Sequence, residues 1–143
     1  MPDCSFAEAL LASLSDAVVH VDAAGRIQYW NAGAERLFGF AADEMLGQTL
    51  DPIVPASLRD RHSDGFAATM RTGRTKYGAG EILSVPALRK DGRRISVEFS
   101  IVPFSGTDGR MTGIAALMRD ATARFDELRA LRSELAALRS PKS

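Results

Sequence analysis

The sequence predicts an α+β fold: a five-stranded antiparallel sheet with short helices across one face and a flanking helix at each end. Three observations predict it. Ile95, Val97, Phe99 and Ile101 alternate with Ser96, Glu98 and Ser100, the pattern of a strand with one buried face. The turn formers of "DAAG", "KDG" and "GTDGR" each separate two β-rich runs. Helical periodicity marks both ends and the middle of the chain, so the strands come from both halves and enclose the helices in sequence.

Each element follows from its residues. Ser5 is placed to cap "FAEALLASLS", whose Phe6, Leu10 and Leu14 line one side. "DAVVHVDAAGRIQYWN" reads as strand, turn, strand, with Val19 and Val21 alternating against Val18 and a half-wet His20. Asn31 caps "AGAERLFGF", which Gly39 breaks; Gly47 closes the short turn "AADEML". Pro52 and Pro55 bracket a loop that leads into "LRDRHSDGFAATM", and Gly73 stops this helix. Leu58, His62, Phe66 and Met70 fall four apart, so an imidazole stands in a stripe expected to face the core.

"EILSVPALRKDGRRISVEFSIVPF" is a hairpin turned at "KDG", and Pro86 puts its first arm at an edge or a bulge. "MTGIAALMR" is the last strand. Asp120 starts and caps the final helix, in which Leu128, Leu131, Leu135 and Leu138 are spaced three, four, three. That is a coiled-coil seam of about two heptads, and a second copy of the chain is the expected cover.

The chain has 143 residues and is 45% hydrophobic, enough for one domain with a core. Its formal net charge is zero, which predicts no nucleic-acid and no membrane partner. Asp3 precedes a short apolar stretch, unlike a secretory signal, and no run reaches the length of a membrane span. Cys4 is the sole cysteine, so disulfides and cysteine-based metal clusters are excluded and a reducing, cytoplasmic setting is expected. No catalytic motif occurs, and the expectation is a protein that is not an enzyme.

"DAVVHVDAAGRIQYWNAGAERLFGFAADEMLGQTL", "RKDGRRISVEFSIVPF" and "GIAALMRDAT" together resemble the PAS sensor family over residues 15 to 122. The resemblance rests on Asn31 after the second strand, the "AERLFGF" helix, "KDG" before a long alternating strand, and "RDAT" at the exit. It implies an amphipathic helix over residues 1–15, a PAS core over 16–120, and a coiled-coil-like helix and tail over 121–143. It also implies a hollow between helices and sheet for a small molecule. Asp120 and Thr122 would carry a change in the sheet to the outgoing helix, and a downstream signalling protein would read it.

Within the family, "AERLFGF" followed by "PASLRDRH" is similar to the heme-bearing PAS domains of oxygen-sensing histidine kinases. That similarity implies heme b held through His62 as proximal iron ligand. Neutral imidazole suits the role. Phe66, Met70, Val97, Phe99, Ile101, Ile114, Ala116 and Met118 would supply walls, Ile82 and Leu83 the strand side, and Leu50 and Ile53 the end. Arg74 or Lys76 would meet propionates. The alternative is a core histidine bonded to a backbone carbonyl.

The subfamily's strand arginine, soon after a Gly-x-Gly, has no counterpart. "GAG" is followed here by Glu81, Ile82 and Leu83, so a distal side built this way is apolar. Cys4 is too remote in sequence for a thiol adduct with flavin. His20 with His62 lacks a third ligand for a metal site. Two functions remain open: a ligand-binding sensor, and a ligand-free dimerisation module.

Overall fold

The computed structural model describes residues 5–75 and 81–139. Helix α1 (Phe6–Ser13) leads into β1 (Ala17–Asp22) and β2 (Ile27–Trp30). Then come α2 (Ala32–Phe38), α3 (Ala42–Met45), two 3-10 turns (Asp51–Ile53 and Ala56–Leu58) and α4 (Arg59–Thr72). Strands β3 (Leu83–Leu88), β4 (Arg94–Ser105) and β5 (Met111–Asp120) and helix α5 (Thr122–Arg139) complete the chain. The sheet has five strands in the order β2-β1-β5-β4-β3, and every neighbouring pair is antiparallel. The last strand therefore lies beside the first, and the helices between β2 and β3 cross one face.

Capping sets the helix ends. Ser5 Oγ accepts the Glu8 N–H at 3.1 Å. Gly73 adopts φ +71°, a left-handed conformation that glycine takes without a Cβ penalty, and ends α4. Pro86 lies on β3, an edge strand, where a missing N–H costs least.

Asn31 joins three elements and is only 4% exposed. Its Oδ1 accepts the N–H groups of Val18 at 2.8 Å and Ala34 at 2.9 Å. Its Nδ2 donates to the carbonyls of Leu11 at 2.8 Å and Asp16 at 3.1 Å. One buried amide thus ties the end of α1, the start of β1 and the first turn of α2. Beside it a Cβ on Gly33 would collide with the Asp16 carbonyl, so α2 approaches β1 through bare backbone.

The core lies between the sheet and α2, α3 and the first 3-10 turn. It contains Val19, Val21, Ile27, Trp30, Leu37, Phe38, Met45, Ile53, Ile95 and Val97. Trp30 satisfies its buried N–H on the Phe40 carbonyl at 3.0 Å.

The two terminal helices differ in how they join the sheet, and the start expected for the last one needs correction. α1 buries none of its residues, and Phe6 is 83% exposed; its main packing partner is α2. The last helix begins at Thr122 rather than Asp120, which remains the final residue of β5.

Candidate functional site

Strand pairing decides which side chains share a face. Leu83 pairs with Phe99, which pairs with Met118 on β5. Ile101 pairs with Ala116, and Pro103 with Ile114. Ala116 and Ile114 pair in turn with Val19 and Val21 of the core. Val97 pairs with Val85. Leu83, Val97, Phe99, Ile101, Ile114, Ala116 and Met118, all expected as pocket walls, therefore line one face, the one the helices cross.

Burial across this face is graded. Val97 and Met118 are buried, at 1% and 8% exposure. Leu83, Phe99, Ile101, Ile114 and Ala116 are only half-buried. The helical side matches: Ile53 is buried, whereas Leu50, Phe66 and Met70 are half-buried. α4 itself has no fully buried residue. Phe66 anchors it, lying against the core and over the β1–β2 turn at Gly25. The sheet face is sealed where α2, α3 and the first 3-10 turn pack on it and only half covered at Leu83, Phe99, Ile101, Ile114 and Ala116.

His62 does not meet the expectation of a core-facing stripe. It lies one turn before Phe66 on α4 and is exposed, on the rim of the groove rather than in its ceiling. The stripe fails there because α4 meets the core through Phe66 and the half-buried residues that follow it, while Arg61 to Gly65 are all exposed. Protein still crowds the ring: desolvation lowers the His62 pKa below the usual 6.5, and the Asp51 carboxylate opposes that shift. The imidazole has no hydrogen-bond partner among the described residues.

Ile82 is also displaced. It precedes β3, is 66% exposed, and does not join the groove, since β3 begins at Leu83. Arg74 is exposed just beyond α4. Lys76 lies outside the described residues. His20 is half-buried on the opposite sheet face, its ring edge-on to that of Phe104 with centroids 5.3 Å apart, and among the described residues no group of three metal-ligating side chains includes it.

The exit from the sheet is tightly bonded. Asp120 Oδ1 accepts the Thr122 N–H at 2.8 Å, which caps α5. Ser96 N–H donates to Thr122 Oγ1 at 2.9 Å, and the Ala121 N–H donates to the Ser96 carbonyl at 2.8 Å. Arg124 pairs with Glu98 at 2.7 Å. The hold on β4 was invisible in sequence, since Ser96 and Thr122 are 26 residues apart with no local pattern to link them. Beyond these bonds α5 stands free of the fold. Leu128, Leu131, Leu135 and Leu138 are 44%, 52%, 48% and 81% exposed.

Comparison with known proteins agrees with this geometry. A family model described as the PAS fold matches residues 11–125. The chain is 31% identical over 127 residues to the sensor protein FixL of Bradyrhizobium diazoefficiens, covering 88% of this chain and 25% of that protein. It is 27% identical over 96 residues to the oxygen sensor protein DosP of Escherichia coli, covering 67% of this chain and 12% of that protein. It thus spans a quarter or less of the length of these two relatives. Among solved structures, the PAS domain of a protein from Colwellia psychrerythraea superimposes with a TM-score of 0.68 at 23% identity, covering 80% of this chain and 93% of that one. Five strands in this order, helices across one face and a family match over most of the length lead to one conclusion: the chain belongs to the PAS family of sensory domains.

Proposed function

We propose that this PAS domain takes a small, largely apolar ligand in the groove beneath α4 and relays its occupancy to α5. The graded burial of the sheet face carries this reading. A domain that fills its own core has no reason to leave Phe99, Ile101, Ile114 and Ala116 half-covered under one helix while sealing the same face under the others. α4, which buries none of its residues, is the wall a ligand would displace most easily.

The relay runs through β4. Val97 and Phe99 point toward the helices, while Ser96 and Glu98 alternate with them and hold the start of α5. A ligand that prefers one position of this strand biases the helix attached to it.

Heme b is the sharpest version, and it requires the His62 ring, exposed in this structure, to turn inward beneath α4. His62 offers an imidazole that desolvation keeps neutral and that holds no other partner among the described residues. Phe66, Met70, Leu83, Phe99 and Ile101 offer apolar cover, and Arg74 a charge for a propionate. Bound heme would supply an iron centre that takes a diatomic ligand or changes oxidation state. FixL and DosP, as named sensors, are consistent with such a role.

The test is absorbance. Purified protein titrated with hemin is expected to give a saturable Soret band at one equivalent, lost in His62→Ala. Absence of saturable uptake ends the heme version. An intact Soret band in the variant removes His62 as ligand.

The second reading is a ligand-free dimerisation module, favoured by the exposed leucine seam of α5. An isolated helix of this length is marginal in water, and a parallel partner helix would cover the seam. A homodimer is compatible with both readings, and our proposal is a dimeric, non-catalytic signalling domain of the cytoplasm in three parts, residues 1–15, 16–120 and 121–143. Among the described residues, no helix is long and apolar enough to cross a membrane.

A further inference from the structure

A second cleft, of about 210 Å3, opens away from α4, where four parts of the fold meet. Asp16 comes from the approach to β1, Arg36 from α2, Arg89 from beyond the end of β3, and Arg119 and Asp120 from the end of β5. Three guanidinium groups therefore face two carboxylates.

Their partners are uneven. Arg119 Nη2 donates to Asp16 Oδ2 at 3.0 Å. Arg36 Nη2 donates to the Leu14 carbonyl at 3.2 Å, and Arg89 Nη1 to the carbonyls of Leu37 at 2.6 Å and Arg36 at 3.2 Å. Neither Arg36 nor Arg89 has a carboxylate partner among the described residues. Asp120 already accepts the Thr122 N–H.

The carbonyls that hold Arg36 and Arg89 are those left open where α1 and α2 end. They fix both guanidinium groups without neutralising them. Each arginine carries five N–H donors, and most of these stay unused. Such a fork matches the paired oxygens of a carboxylate or phosphate, and its ordering cost falls on folding rather than on binding. The volume is below the roughly 300 Å3 at which pockets for drug-sized ligands begin, so the occupant is small.

We propose that this cleft binds a small oxyanion, either inorganic phosphate or a short dicarboxylate, between Arg36, Arg89 and Arg119. The anion competes with Asp16 for Arg119, next to the residue that caps α5. It is a site for a soluble effector, separate from the groove under α4.

The full chain would be titrated with sodium phosphate and, separately, sodium malonate, each against sodium chloride at matched ionic strength, while backbone amide NMR shifts are followed. Saturable shifts at Gly33, Leu37 and Arg119 with either anion, and none with chloride, are expected. Phosphate alone, malonate alone, or both would identify the oxyanion class. Arg36→Gln should weaken binding about tenfold or more, with Arg119→Gln as a second variant should Arg36→Gln not fold. His62→Ala should bind the anion as the wild type does, so the outcome is independent of the α4 groove. Chloride shifts of the same size, no saturation with either anion, or wild-type affinity in the folded arginine variant overturns the proposal.

Discussion

Ser96 and Thr122 bond to each other across the exit of the sheet: the Ser96 N–H donates to Thr122 Oγ1 at 2.9 Å, and that hydroxyl lies 3.4 Å from the Ser96 carbonyl. The first residue of α5 is thereby fastened to β4, although the chain reaches it from β5. Thr122→Val keeps the shape and removes the acceptor, leaving a part-buried N–H unpaired. The variant should lose about 1–2 kcal/mol in urea unfolding, and amide exchange should quicken over residues 121 to 126. Unchanged exchange there would mean that Asp120 and Arg124 hold the helix without it.

Asn31 is the most connected polar side chain of the core margin. Asn31→Leu leaves the Val18 and Ala34 N–H groups and the Leu11 and Asp16 carbonyls without their partner. The expected loss is about 3 kcal/mol, above that of an ordinary cap, because two of the orphaned donors are buried. A chemical-denaturation curve within 1 kcal/mol of wild type would show that water replaces the amide.

His62 titrates against folding. Its folded pKa lies below the usual 6.5, so the unfolded chain binds the proton more readily. At pH above that value both states are neutral and nothing is lost. As pH falls from about 6.5 through the folded pKa, stability falls. His62→Gln should flatten the stability profile in that window and leave it unchanged near pH 8. A profile with the same slope in the variant would assign the pH dependence to other groups.

Glu44 shows the opposite sign at the surface. Its pKa is lowered first by the Lys90 ammonium at 2.6 Å and then by the Ala41 N–H at 2.9 Å. Lys90→Met should move the Glu44 titration, followed by carboxyl NMR, upward toward 4.5 but not fully to it, since the Ala41 bond remains. The pair's contribution is present above the unfolded pKa and fades as pH falls through the folded one.

Leu131 and Leu135 should bear the contact between copies. Leu131→Asp with Leu135→Asp is expected to convert a dimer into a monomer in sedimentation while leaving the far-ultraviolet signature of the sheet intact. A mutant that remains dimeric would move the interface elsewhere, to the outer sheet face that exposes Val102, Phe104 and Leu117.

Much of this architecture was legible because it is local. Alternation of Ile95, Val97, Phe99 and Ile101 states which side of β4 is apolar, and one face of a strand has a single orientation relative to the core. Pro86 forecasts an edge since it lacks an N–H, and β3 lies at one. Ser5 and Asn31 mark the helix starts because their oxygens reach only the next few amides. The same logic overreached at His62. Spacing by four puts it on the stripe with Phe66, but how far a helix lies against a sheet depends on what fills the gap, and that is not written in the period.

The sequence by itself determined the order of elements, the turns between them and the apolar face of each strand, all consequences of backbone sterics and side-chain period. Only tertiary structure decided that the imidazole stands at a rim, that α5 hangs from β4, and that Arg36, Arg89 and Arg119 converge on one cleft. These depend on residues far apart in the chain, as with Asp16 and Arg119, separated by 103 positions. Their meeting follows from the packing of whole elements, and no local preference encodes it.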